Sequence, residues 1–297
     1  MATLFRLTVR LTVRLTWRAL VVLSLSIALV GCSGFFFYPM KPWVQNPARQ
    51  GLAYEDIVLI HPDGLRLHGW WLPAQTEQVA GTVYFLHGNA QNISTHLMNV
   101  AWLPAQGYQV FLIDYRGYGL SEGKAKLPDT LDDIQLGLDW LQASGRVQGP
   151  LVVFGQSLGA SMTIPVLARE QNAGRFDCAM FEAGFTGFRH ITRDVMQRSW
   201  LLWPFSFVVA PMVTTRWDPV DHIAALAPAP VLILHSREDS IIPFAEGERL
   251  YAAAAEPKEF QGLLGAHIVA SQDPSVRQRL VQFMTQRCDA QSASAAD

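Results

Sequence analysis

The decapeptide Val152-Val153-Phe154-Gly155-Gln156-Ser157-Leu158-Gly159-Ala160-Ser161 admits few folds, because an apolar run passes into a helical pattern at a serine with a glycine two positions to either side. A strand that turns so sharply into a helix holds the serine in a strained backbone region, and crowding leaves no room for a Cβ at the flanking positions. Gly155 and Gly159 meet that need. Residues 151–154 read as a short buried strand and 161–170 as helix, which places the motif at the junction that presents a serine Oγ as a nucleophile. A serine hydroxyl is a weak nucleophile at neutral pH. The motif therefore carries chemistry only if a base, an orienting carboxylate and an oxyanion site accompany it.

The surrounding pattern supplies a frame for those partners. Residues 54–60 and 65–72 alternate as an antiparallel pair turned at Pro62-Asp63-Gly64, and further strands read at 79–86, 109–113, 151–154, 177–181, 230–235 and 258–263. Helical stretches fall between them at about 93–106, 129–143, 158–170, 244–255 and 275–287, which is the spacing of crossover units. The expected class is α/β, with a mostly parallel eight-stranded sheet flanked by helices. Residues 185–226 break the alternation with clusters such as Trp200-Leu201-Leu202-Trp203-Pro204-Phe205, and are expected to form a small lid after the sixth strand. Trp200 and Trp203 are candidates for an acyl pocket or a membrane contact, against the plainer reading that they pack the lid on the body.

Candidate partners of Ser157 lie downstream, in the order serine, acid, histidine. Asp239 follows the strand Val231-Leu232-Ile233-Leu234-His235, in the loop beyond its carboxyl end, with Glu238 beside it as the solvent-facing alternative. His267 sits in the glycine-bearing loop Gly262-Leu263-Leu264-Gly265-Ala266-His267 after the last strand. It is placed to take the serine proton while Asp239 fixes its tautomer. Oxyanion donors are backbone amides: Leu158, at the helix start, and Asn89, in the loop His87-Gly88-Asn89-Ala90 after the third strand, with Ala90 as fallback. Glu182, beyond the sixth strand, is a candidate contact for a substrate amine, or simply a loop carboxylate. None of the other histidines pairs with Cys or a carboxylate at metal-ligand spacing, so no metal and no cofactor is expected.

The amino-terminal end carries a separate message. Arginines at 6, 10, 14 and 18 precede an apolar run from Ala19 to Val30, too short to span a bilayer alone and suited to the middle of an export signal. The run ends Leu29-Val30-Gly31-Cys32, the pattern of a bacterial lipoprotein signal with cleavage before Cys32 and acylation of that cysteine. Ser33 beside it tilts the sorting towards the outer membrane. Counted on through Met40, the apolar stretch is instead long enough for an uncleaved inner-membrane anchor. The arginines favour staying inside in either case, so the folded part is expected in the cell envelope, facing outward. The expected division is an export signal at 1–31, a tether at 32–53, one domain at 54–287 and a flexible tail at 288–297.

Loss of residues 1–31 removes four arginines and no acid, moving the formal charge from −2 to about −6. No basic run with interleaved aromatics remains, which excludes nucleic acid as the expected partner. A small-molecule or acylated substrate is expected instead, and the oligomeric state is open. Cys178 and Cys288 can pair in an oxidising compartment, although the weight falls on two unpaired cysteines, with Cys178 a small buried apolar residue.

The segments Leu86-His87-Gly88-Asn89-Ala90, Asp114-Tyr115-Arg116-Gly117-Tyr118-Gly119-Leu120-Ser121-Glu122-Gly123 and Gly155-Gln156-Ser157-Leu158-Gly159, with Asp239 before Pro243 and Gly265-Ala266-His267, together resemble the α/β-hydrolase superfamily. Within it the set looks like the serine-aminopeptidase-like branch that includes membrane-anchored bacterial hydrolases and eukaryotic protein depalmitoylases. The resemblance covers roughly residues 54–287 and implies Ser157, Asp239 and His267 as nucleophile, acid and base, with Leu158 and the Asn89 region as oxyanion donors. Ala160 and Ala266 stand where glycine is common, and both keep the side chain small. In the Asp114–Gly123 loop, Asp114 and Arg116 are expected to fix loop structure. The implied activity is serine hydrolysis of a carboxylic ester or thioester. An aminopeptidase or amidase with the same triad is the alternative, and an envelope scaffold or binding protein the non-enzymatic one.

Overall fold

A computed structural model describes residues 36–198 and 200–288. The leader with Cys32, and the tail at 289–297, lie outside the described residues.

The eight expected strands form one sheet: β1 Glu55–Ile60, β2 Arg66–Leu72, β3 Gly81–Leu86, β4 Tyr108–Ile113, β5 Leu151–Gln156, β6 Cys178–Glu182, β7 Val231–Ser236 and β8 Lys258–Leu263. Their order across the sheet is β8-β7-β6-β5-β3-β4-β2-β1, and only β2 runs against its neighbours. β3 and β5, neighbours at the centre, are buried along their whole length, which is why they read as continuous apolar runs without alternation.

Helices cover both faces. α1 Asp129–Ser144 starts with Asp129 and Asp132 in its first turn, where negative charge suits the helix dipole, and stops at Gly145 in the left-handed region. α2 Leu158–Leu167 is buried throughout. α3 Phe188–Gln197 and α4 Trp203–Val209, with short turns over 210–212 and 219–226, make the expected insertion after β6. α5 Phe244–Ala253 and α6 Pro274–Phe283 complete the layers, and Asp273 caps α6 by accepting from Ser275 N.

Four expectations are corrected. The helix expected at 93–106 is broken into turns at 93–96, 97–99 and 104–106, because Pro104 cannot continue a helical hydrogen-bond ladder and starts its own turn before Gly107. Cys178 and Cys288 are joined by a disulfide with Cα atoms 5.3 Å apart, since the chain runs from α6 straight back under the start of β6. The expected tail therefore begins with a buried, bonded residue. The expected tether is also part of the domain over its described length. Phe37 and Leu52 are buried, the Trp43 ring sits edge-on to Trp70 at 5.0 Å, and Tyr38–Pro39 pairs in parallel with Ala90–Gln91. A run as aromatic as residues 36–43 gains more by burial than by hanging in water.

Candidate active site

The turn after β5 has the backbone that its glycines foretold. Ser157 stands at φ 54°, ψ −119°, a conformation that a non-glycine residue rarely holds. A Cβ on Gly159 would lie 2.4 Å from the Leu86 and His87 carbonyl oxygens, and one on Gly155 would lie 2.7 Å from the Ala160 Cα. Both positions meet backbone, which cannot move aside.

The loops after β7 and β8 converge on this serine. His267 Nε2 lies 2.9 Å from Ser157 Oγ, and His267 Nδ1 lies 2.6 Å from Asp239 Oδ2. With a carboxylate at Nδ1, the proton belongs on that nitrogen and Nε2 is left to accept from the serine. Asp239 has no exposed side-chain surface, and its Oδ1 accepts the Ile241 and Ile242 amides at 2.8 and 2.9 Å. Burial acts to raise its pKa, but the hydrogen bond and charge of His267 and those two amides outweigh it and hold the carboxyl below the usual range. Its stabilising contribution is therefore complete above the unfolded value near pH 4 and is lost as pH falls through the lowered one.

Glu182 is not a substrate contact. It is buried at the end of β6, where Oε1 accepts the Val269 and Ala270 amides, each at 2.7 Å, and Oε2 accepts Gln156 Nε2 at 2.6 Å. Burial raises its pKa against the pull of these donors. Its work is to pin the loop that carries His267. Glu238 does the same from outside, accepting the Gly265 amide at 2.8 Å. A carboxylate at a strand end looks identical in sequence whether it faces a substrate or two loop amides, so nothing in the pattern distinguished these roles.

Leu158 opens α2, so its N–H has no acceptor within the helix. Asn89 spends its side-chain oxygen on Tyr38 N at 2.9 Å and Tyr118 Oη at 3.1 Å. Both residues border the same cavity as Ser157, which is only 8% exposed and shows that surface to the cavity. The cavity measures about 150 Å³, and its walls are Phe36, Tyr38, Phe185, Ile191, Val195 and Ile242, with no charged side chain. A larger cleft of about 270 Å³ by the amino ends of β6 and β7 lies away from Ser157 and contains no nucleophile.

Trp200 and Trp203 take no part in the cavity. Trp200 is 84% exposed and Trp203 half exposed, and neither borders the cavity at Ser157. The walls come instead from α3, the Asp239 loop and the segment read as a tether. The missed signal was the aromatic run at residues 36–38, too apolar for a solvated linker.

The Asp114–Gly123 loop is structural, as expected. Arg116 binds the buried Asp133 through Nε at 2.9 Å and Nη2 at 2.6 Å, and reaches Asp63 and Asp129 through Nη1. Asp114 is fully buried, accepts Ile93 N at 2.9 Å and lies 3.6 Å from His87 Nε2. Burial pushes its pKa up to about 7, with the Ile93 amide and the charge of Lys41 pulling against the rise, while burial and the charge of His96 keep His87 well below its ordinary value. Between about pH 4 and pH 7 the folded chain thus holds a proton that the unfolded chain has lost, so stability falls as pH rises through that window. Asp114→Asn keeps an acceptor for Ile93 and should remove this slope, which is at most about 1.4 kcal/mol per pH unit. Urea midpoints should nearly coincide for parent and variant at pH 4 and favour the variant at pH 8.

A family model described as serine aminopeptidase, S33, matches residues 77–217. The uncharacterized protein YfhR of Escherichia coli K12 is 30% identical over 264 residues, covering 84% of this chain and 86% of that protein. The α/β-hydrolase domain-containing protein WAV2 of Arabidopsis thaliana is 32% identical over 232 residues, covering 72% and 71%. Among solved structures, an esterase of Pyrococcus furiosus superposes with a TM-score of 0.71 at 19% identity over 85% of this chain and 98% of its own. An acylaminoacyl peptidase of Pyrococcus horikoshii gives 0.60 at 19% identity over 80% of this chain and 42% of its own. These two establish a common fold. Taken with the relatives matched over most of their length and the strand-to-helix turn at Ser157, they show that the chain belongs to the α/β-hydrolase superfamily and is a serine hydrolase of that fold.

Proposed function

We propose that the protein hydrolyses carboxylic esters, or thioesters of similar shape, with Ser157 as nucleophile, His267 as base and Asp239 as the acid that orients it. His267 accepts the Ser157 proton as Oγ attacks the substrate carbonyl, and the Asn89 and Leu158 amides receive the developing oxyanion. The leaving alcohol or thiol takes the proton back from the imidazolium. Water activated by His267 then releases the acid and frees the serine. The observation that carries the ester reading is the wall of the cavity. An aminopeptidase needs an anionic group for the substrate's ammonium, and the described residues around this cavity offer none. Glu182, the one candidate for that task, is committed to loop amides.

Cavity size limits how much of an acyl group the protein itself encloses, and for a water-soluble ester that enclosed part is the whole acyl group. About 150 Å³ is a volume that admits benzene in an apolar protein cavity, so acyl groups of about four to six carbons are favoured. Among water-soluble p-nitrophenyl esters the rate should peak in that range, and aminoacyl anilides should be slower by at least about a hundredfold. A preference for the anilides would reverse the assignment. A fluorophosphonate should label the Ser157 peptide, and labelling elsewhere would displace Ser157 from its role.

We place the enzyme in the bacterial cell envelope, held at a membrane through Cys32 or an uncleaved leader. The arginine-bearing leader and the Leu29-Val30-Gly31-Cys32 sequence support this, and so does the Cys178–Cys288 disulfide, since such bonds persist in oxidising compartments. Among the described residues no helix is long and apolar enough to cross a membrane.

A further inference from the structure

Helix α4 inverts the usual arrangement of a surface helix. Its buried position belongs to Ser206, whose hydroxyl donates to the Trp203 carbonyl at 2.6 Å. Its aromatic and aliphatic side chains face outward instead: Phe207 and Val208 are 63% and 64% exposed, and Trp203 and Phe205 share that surface. Residues 199–215 include no charged side chain, while Arg198 and Arg216 stand at the two ends. A helix on the surface of a soluble domain points its apolar stripe at the core, and an apolar patch left outside marks a partner.

The position of this face says which partner. α4 packs on α3, and Val195 of α3 and Ile241 of the Asp239 loop both border the cavity and are both exposed, so apolar side chains are exposed at the cavity mouth as well. Arg198 fastens the two sides of that mouth, donating to the Ser240 and Ile241 carbonyls at 2.8 and 2.9 Å. The chain itself arrives at the same rim. Phe36 and Tyr38 are cavity walls, and Cys32 is four residues upstream of Phe36, a span of at most about 14 Å in any conformation. A lipid on Cys32, or a leader anchored just upstream, is thus tied by a short length of chain to a residue of the cavity wall. Tryptophan and phenylalanine flanked by arginine is the composition of segments that settle at a lipid interface.

We propose that the face formed by residues 200–208 rests on a lipid bilayer and turns the cavity mouth towards it, so that Ser157 receives its ester from the lipid phase. The part concerning substrate rests on the ester-hydrolase reading. A long acyl chain then places only its carbonyl end in the cavity and leaves the remainder among the lipids.

The test uses the full chain reconstituted into vesicles of phosphatidylcholine and phosphatidylglycerol, with brominated acyl chains as quenchers of tryptophan fluorescence. Trp200→Phe with Trp203→Phe keeps the face apolar and should remove about half or more of the quenched intensity. Equal quenching in parent and variant would overturn the docking, whether a second copy or residues 19–35 cover the face instead. In a second arm, Phe207→Ser with Val208→Ser should slow hydrolysis of a vesicle-embedded long-chain ester by about tenfold and leave a water-soluble short ester unchanged. Slowing of both alike, or of neither, would overturn entry from the lipid phase. If no ester were cleaved by the parent, the proposal of lipid-phase ester entry would fall with the ester reading, while the quenching would still decide the docking.

Discussion

Ser157→Ala should lower kcat towards a short p-nitrophenyl ester by about five to six orders of magnitude, and His267→Ala should cost nearly as much. The two losses should not add. In the double variant the rate should match that of Ser157→Ala, because a base without its nucleophile has no proton to accept. The geometry makes this a stringent expectation, since His267 Nε2 is 2.9 Å from Ser157 Oγ and His267 is itself held by Asp239 and by the Glu182-pinned loop. A residual rate above the uncatalysed one should persist through the proposed oxyanion donors, the Asn89 and Leu158 amides. Stopped assays on the purified single and double variants measure all of this. Losses that multiply in the double variant would show that the two residues act in separate steps.

The second large effect is on stability. Cys178→Ala with Cys288→Ala opens a loop whose ends are 110 residues apart, and the chain-entropy argument gives a loss of about 4–5 kcal/mol. For a domain of this size that corresponds to a fall in Tm of about 8–20 °C. Dithiothreitol should bring the parent down to the variant's melting temperature and leave the variant unmoved. The bond ties the turn Met284–Cys288 that follows α6 to the start of β6, and Leu280 and Phe283 of α6 and Met284 of the turn are buried. A variant that melted in two steps, α6 first, would show that the disulfide secures a single element rather than the whole sheet.

The sheet was legible because fully buried parallel strands write themselves as unbroken apolar runs, and the nucleophile turn was legible because backbone crowding leaves only glycine at positions 155 and 159. Asp239 and His267 followed from chain order and loop position. What failed to show were properties that depend on direction rather than identity. Trp200 and Trp203 read equally as pocket, membrane-contact or packing residues, because sequence records that they are apolar and not how far they are exposed. Glu182 read as either a substrate contact or a loop carboxylate, because its partners, two amides 87 and 88 residues away, leave no local trace. The disulfide was hidden for the same reason, its two ends being brought together only once α6 is laid across the sheet.

Tyr38 sits in a two-residue ladder with Ala90–Gln91, and its amide donates to the side chain of Asn89. The periodicity of the strands starts at residue 55, yet the loop that carries Asn89, the proposed oxyanion donor, is held from residue 38. Under the proposed membrane attachment, force on the chain reaches the Asn89 loop through Tyr38. In that arrangement attachment and the setting of this loop share one stretch of backbone, and a cut between Phe36 and Met40 should release the domain and lower its activity together.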